Sequence, residues 1–143
     1  MHHSGSYMKT ALLLAGFGQI ALALGSTVIP KLLSWKEETA KLNALTRQVF
    51  WTYAIYILCT NFSFGLLSVL IPDSLLDGSA LAAAVTGFIA LYWISRILIQ
   101  FFYFDRSAAP QGFIFTLGEA ALVISFFFFA AVYIYAVLIN LEQ

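Results

Sequence analysis

Apolar residues run through this chain in four long stretches, and the charges fall between them. No charge lies between Lys9 and Lys31, between Arg47 and Asp73, or between Asp77 and Arg96. Glu119 is the one charge between Arg106 and Glu142. A helix needs about 20 apolar residues to cross the hydrocarbon core of a bilayer, and backbone groups there must be satisfied within the segment. The pattern therefore predicts transmembrane helices over approximately residues 9–29, 48–71, 79–104 and 112–140. The expected fold class is all-α: an integral membrane four-helix bundle forming one domain over residues 1–143. Residues 1–7 read as a tag remnant or a disordered end, so His2 and His3 are given no metal role.

The boundaries have local causes. Pro30 and Pro72 each follow an apolar run and should stop a helix, since proline lacks an N–H and its ring clashes with the preceding turn. The link from Ser74 to Ser79 places Asp77-Gly78 at a turn and Ser79 at a helix N-cap. A second short link runs from Asp105 to Gly112. Short links force antiparallel neighbours, which makes hairpins of spans two and three and of spans three and four. In the longer link, Leu32, Leu33, Trp35, Leu42 and Leu45 alternate with Lys36, Glu37, Glu38 and Lys41. That pattern predicts a short amphipathic helix lying at the membrane surface.

Orientation follows from the basic residues beside the spans. Lys31, Lys36, Lys41, Arg47 and Arg106 flank one side, and Lys9 alone flanks the other. Positive charge collects on the cytoplasmic side, so both termini are expected outside, in a cell-membrane protein with several passes. Lys9 followed by a leucine and alanine run also has the look of a cleavable signal peptide. Cleavage would put four of the basic residues on the wrong face, which favours an uncleaved first span.

Composition removes several function classes. Hydrophobic residues make up 62% and charged residues 10% of the chain, where a soluble domain carries about 25% charge. Seven basic and seven acidic residues balance, leaving no basic face for nucleic acid. Beyond His2 and His3 there is no histidine, and Cys59 is a single thiol. Histidine-ligated haem, iron or copper and thiol-pair redox chemistry are therefore excluded, and no cofactor is expected. Phosphate-loop, HExxH and GxSxG motifs are missing. Ser63, Ser68 and Ser125 have no base to activate them and are expected to bond helix carbonyls or neighbouring helices. Cys59 is expected to be a small buried apolar residue.

Two charges lie inside spans, Arg96 and Glu119. Charges there are costly and usually face the bundle interior. Arg96 is eight residues before the expected end of span three, about 12 Å, and Glu119 seven after the start of span four, about 10.5 Å. Equal depth on an antiparallel hairpin predicts an intramembrane salt bridge. Gln100 and Tyr92 lie one turn either side of Arg96, and Gln19 in span one lies about 15 Å deep. Asn61 sits nearer the midplane, with Gly65 and Ser68 along its face, while Ala15, Gln19 and Ala23 share a face of span one. A polar core of Gln19, Arg96, Gln100 and Glu119, extended by Asn61 and Tyr92, is the candidate site, either structural or ligand-binding. Trp35, Trp51, Tyr53 and Tyr103 fall near the cytoplasmic interface, where amphipathic rings are favoured. Phe126–Phe129 points all around span four, so part of it must face lipid or a partner.

In outline the chain is similar to the membrane-associated eicosanoid and glutathione enzymes, four-span proteins with an arginine late in span three, where this chain has Arg96. Those enzymes hold glutathione with charged residues on spans one and two, and none is present here. The small multidrug exporters carry a key glutamate in span one, where this chain has Gln19. Neither motif set is met. The expected function is that of a non-enzymatic subunit, assembly factor or scaffold, partnered by the bilayer and by another membrane protein or a second copy. The alternatives are a small oligomeric transporter using Arg96 and Glu119, and an enzyme or binding protein for a lipophilic substrate.

Overall fold

The computed structural model describes residues 2–103 and 112–142, with side chains from Tyr7 onward. Four helices dominate: α1 (His2–Gly25), α4 (Ala44–Leu70), α5 (Ala80–Phe102) and α6 (Phe113–Glu142). Two short helices, α2 (Ile29–Leu32) and α3 (Trp35–Thr39), lie between α1 and α4. No strand occurs among the described residues. Tyr7–Leu32, α4, α5 and α6 are each long and apolar enough to cross a membrane. The chain is an all-α, multi-pass membrane bundle.

Three boundaries differ from expectation. Pro30 does not end the first span: the helix passes through a 3₁₀ turn at Ser26–Val28, and Pro30 falls in the first turn of α2. A missing N–H costs nothing there, because first-turn N–H groups have no intrahelical acceptor. The break comes at Ser34, in the left-handed region with φ 55°. The amphipathic link is two short helices rather than one, and its last residues belong to α4, which begins at Ala44. Asn43 explains that start, since its Oδ1 accepts the Thr46 N–H at 2.9 Å. The second apolar run ends as expected, with α4 stopping at Leu70 ahead of Pro72. Gly78 takes φ 78°, and Ser79 Oγ caps α5 by accepting the Ala82 N–H at 3.0 Å. The link from Asp105 to Gln111, with Arg106, lies outside the described residues.

The helices pack as two close pairs, α1 with α4 and α5 with α6, and α1 against α6 joins the pairs. The first pair is a glycine crossing. A Cβ added at Gly16 would lie 2.9 Å from the Gly65 carbonyl oxygen, and one added at Gly65 would lie 2.7 Å from the Gly16 oxygen. Only glycines let the backbones meet this closely, which is how helices attract one another in lipid. The second pair is a heptad seam. Ala82, Thr86, Ile89, Trp93, Arg96 and Gln100 recur at spacings of four and three on α5. Phe126, Phe129, Tyr133, Ala136 and Asn140 do so on α6, and all five are buried. Such a repeat keeps one stripe of each helix on its partner. α4 meets α5 through rings: Phe64 lies edge-on to Phe88 at 6.0 Å and to Tyr92 at 5.2 Å.

Phe126 and Phe129 turn inward, and Phe127 and Phe128 are exposed, as a helical run of four must be. Large exposed apolar side chains on all four helices make the surface that lipid would cover.

Candidate functional site

At the centre, each long helix contributes one polar group: Gln19 from α1, Ser68 from α4, Trp93 from α5 and Tyr133 from α6. All four are less than 2% exposed. The stripe of Ala15, Gln19 and Ala23 is buried as its small residues imply, bringing Gln19 against the α5–α6 seam.

The direction of each hydrogen bond here follows from the donor inventory. An indole nitrogen can only donate, so Trp93 Nε1 gives its proton to Gln19 Oε1 at 3.0 Å. That fixes the amide, whose Nε2 then donates to Tyr133 Oη at 2.6 Å and to the Ala15 carbonyl at 3.1 Å. Ser68 Oγ donates to the Phe64 carbonyl at 3.0 Å. Its single proton is thereby used, so in the short Ser68–Tyr133 contact the tyrosine donates. Donors run one way, Trp93 to Gln19 to Tyr133 to Ser68 to a backbone oxygen. Every side-chain proton in the chain has an acceptor.

Toward the Phe102 end of α5 the seam becomes charged. Arg96 Nη1 donates to Gln100 Oε1 at 3.3 Å, and Gln100 Nε2 donates to Glu119 Oε2 at 3.0 Å. One glutamine amide thus joins the two charges. The Arg96 guanidinium lies over Phe126, 4.9 Å from the ring centroid, a cation–π arrangement. Phe126 also stacks on Trp93 at 5.5 Å, which places the charged group directly beside the central one. Arg96, Gln100 and Glu119 are partly buried.

The six candidate residues therefore fall into three neighbouring groups. Arg96, Gln100 and Glu119 stand together. Tyr92 reaches α4, donating to Asn61 Oδ1 at 2.5 Å. Gln19 belongs to the central chain. Ser68, Trp93 and Tyr133 were not among the candidates, although the hydroxyl of Ser68 bonds both its own helix and another, as expected of an intramembrane serine. A signal for Tyr133 was present: Glu119, Phe126, Tyr133 and Asn140 repeat at seven-residue intervals, which marks one face.

A third polar cluster ties down the α4–α5 link. Asn140 donates to the Leu75 carbonyl at 2.8 Å and to Thr86 Oγ1 at 3.3 Å, and its Oδ1 accepts the Gly78 N–H at 3.0 Å. Lys9 adds an exposed ion pair to Asp73 at 3.2 Å. Within the same link, the Asp77 carboxylate accepts hydrogen bonds from Ser79, which hold its pKa below the ordinary value.

Cys59 corrects one expectation. It is exposed on the outer surface, beside Ala23, Thr27 and Phe62 in a groove of about 300 Å³ between α1 and α4. The glycine crossing turns Gly65 and Ser68 inward, and Cys59 falls on another face of the same helix. A larger apolar groove of about 530 Å³ opens between α5 and α6, over Ala83, Gly87, Ala90 and Val137. Among the described residues no three His, Cys, Asp or Glu side chains stand together in a way that could hold a metal ion. The chain matches no family model, and no curated protein or solved structure matches it.

Proposed function

We propose that this protein is a non-enzymatic membrane subunit or scaffold that works by packing against another membrane protein. The observation that carries the reading is the central donor chain. It takes one side chain from each long helix and leaves no proton over for a ligand. Such a centre fixes the register of four helices. The chemistry left for partners is then on the outside, in the apolar groove between α5 and α6. In this reading both termini lie outside the cytoplasm of a cell membrane, with α2 and α3 on the cytoplasmic side. Purification in a mild detergent is expected to yield a stoichiometric second protein. Loss of that protein with bulky substitutions at Ala83 and Gly87 would support the assignment. A pure homogeneous bundle carrying a small molecule would overturn it.

A second reading, a small transporter, rests on the Arg96–Gln100–Glu119 group, in which Gln100 links the guanidinium to the carboxylate. Its test is flux in proteoliposomes. Glu119→Gln should abolish coupled transport while the bundle stays folded, and unchanged flux would remove this reading.

A further inference from the structure

The segment between α1 and α4 is built more firmly than a tether needs to be. Trp35 of α3 lies edge-on to Phe50 and Trp51 of α4, with ring centroids 5.0 and 5.9 Å away. Trp51 Nε1 donates to Thr39 Oγ1 at 3.3 Å, and Thr39 is buried. These contacts hold α3 against the first turns of α4 and fix two indoles at the end of the bundle. Indole rings favour the headgroup level of a bilayer.

Around this clasp stand Lys31, Lys36, Lys41 and Arg47, with Glu37 and Glu38 as the acidic counterparts. Four basic and two acidic residues leave a net charge of +2 over residues 29–47. Lys41 pairs with Glu38 at 3.2 Å, both exposed, and Arg47 donates to the Leu42 carbonyl at 3.3 Å. Lys31 and Lys36 are exposed, and so are the apolar side chains of Leu32, Leu33, Leu42 and Leu45. Exposed leucines interleaved with lysines, next to indoles, match the three layers of a leaflet edge: acyl chain, interface and headgroup.

We propose that the α2–α3 clasp is a binding surface for anionic phospholipid headgroups, so that the bundle gathers acidic lipids around this end. Lys31 and Lys36 meet the lipid phosphates, Lys41 and Arg47 add field, and Trp35 and Trp51 set the depth. The proposal stands independently of the subunit reading.

Tryptophan quenching tests it directly, since Trp35 and Trp51 are at the clasp and Trp93 is 1% exposed. The protein is reconstituted in phosphatidylcholine bilayers containing equal small fractions of brominated phosphatidylglycerol or brominated phosphatidylcholine. Binding of the brominated anionic lipid is expected to be stronger by about 5-fold, roughly the contribution of one basic residue at an anionic surface. High salt and the triple variant Lys31→Gln, Lys36→Gln, Lys41→Gln should remove the preference, and the matching Lys→Arg triple should keep it. Glycerol phosphate added in solution should not compete. Equal quenching by both lipids, or a preference that survives the Gln triple, overturns the proposal. Competition by glycerol phosphate also overturns it, because the ligand would then be a free phosphate and not the leaflet.

Discussion

Two neighbouring polar groups in the α5–α6 seam solve the same problem differently. Around Tyr133 every group is neutral, fully buried and aligned in one donor direction. Around Gln100 the groups are charged and half-buried, and an amide stands between guanidinium and carboxylate. Neutral donors can be closed off completely, because each proton needs a single acceptor. Isolated charges in a low-dielectric interior cost far more than a neutral group, so they sit where α5 and α6 approach their ends. The contrast separates a centre built for register from an end that keeps contact with its surroundings.

Breaking the centre should have the larger effect. Gln19→Leu removes the acceptor of the Trp93 N–H and leaves that donor buried without a partner. A buried unsatisfied donor costs about 1–3 kcal/mol, so unfolding in detergent or bicelles should show a loss of about 2 kcal/mol. Gln19→Glu restores an acceptor for Trp93 but buries an ionisable carboxyl group, so it should recover only part of the loss. A loss under about 0.5 kcal/mol, within the scatter of surface substitutions, would mean the centre relaxes without its amide.

The charged end is probed by a double-mutant cycle on Arg96→Met and Glu119→Leu. Residues that share a network show interaction energies of about 0.5–3 kcal/mol. Interhelical hydrogen bonds in bilayers average nearer 0.6 kcal/mol, so a coupling of about 1 kcal/mol is expected. Repeating the cycle in a Gln100→Leu background should reduce it. Full coupling without Gln100 would assign the interaction to direct contact of the charges, and additivity in both backgrounds would dissolve the group.

Asp77 gives the smallest effect and serves as an aqueous reference. Its carboxylate is held by Ser79 with a pKa below the ordinary value. A depressed folded-state pKa stabilises the native state above the unfolded-state pKa. The contribution is lost as pH falls below about 4, the usual aspartate range. Thermal melts across that range should therefore show a slightly steeper acid loss for the native chain than for Asp77→Asn. Identical profiles would show that the α5 cap works without the charge.

Much of this was written in the sequence. Charge spacing located the four spans, Ser79 and Gly78 announced the turn and cap, and Ala15, Gln19 and Ala23 marked an inward face. Depth counting brought Arg96 and Glu119 to one neighbourhood. Trp93 and Tyr133 were hidden because aromatic residues in apolar spans look like lipid-facing bulk, and their polar atoms matter only once Gln19 arrives from a distant helix. Pro30 misled for a local reason: a proline after an apolar run can open a helix as well as close one. The exposed position of Cys59 follows from the Gly16–Gly65 crossing, a tertiary choice that no single span contains.

The donor chain also has a history in time. Gln19 leaves the ribosome first of its four members and Tyr133 last, because α1 precedes α4, α5 and α6 along the chain. Until α6 is in place, Gln19 lacks its Tyr133 acceptor and Ser68 lacks its Tyr133 donor. The nascent bundle therefore crosses an interval with a half-made interior. Among these helices α6 locks the other three, at Tyr133 in the middle and at Asn140 over the link between α4 and α5.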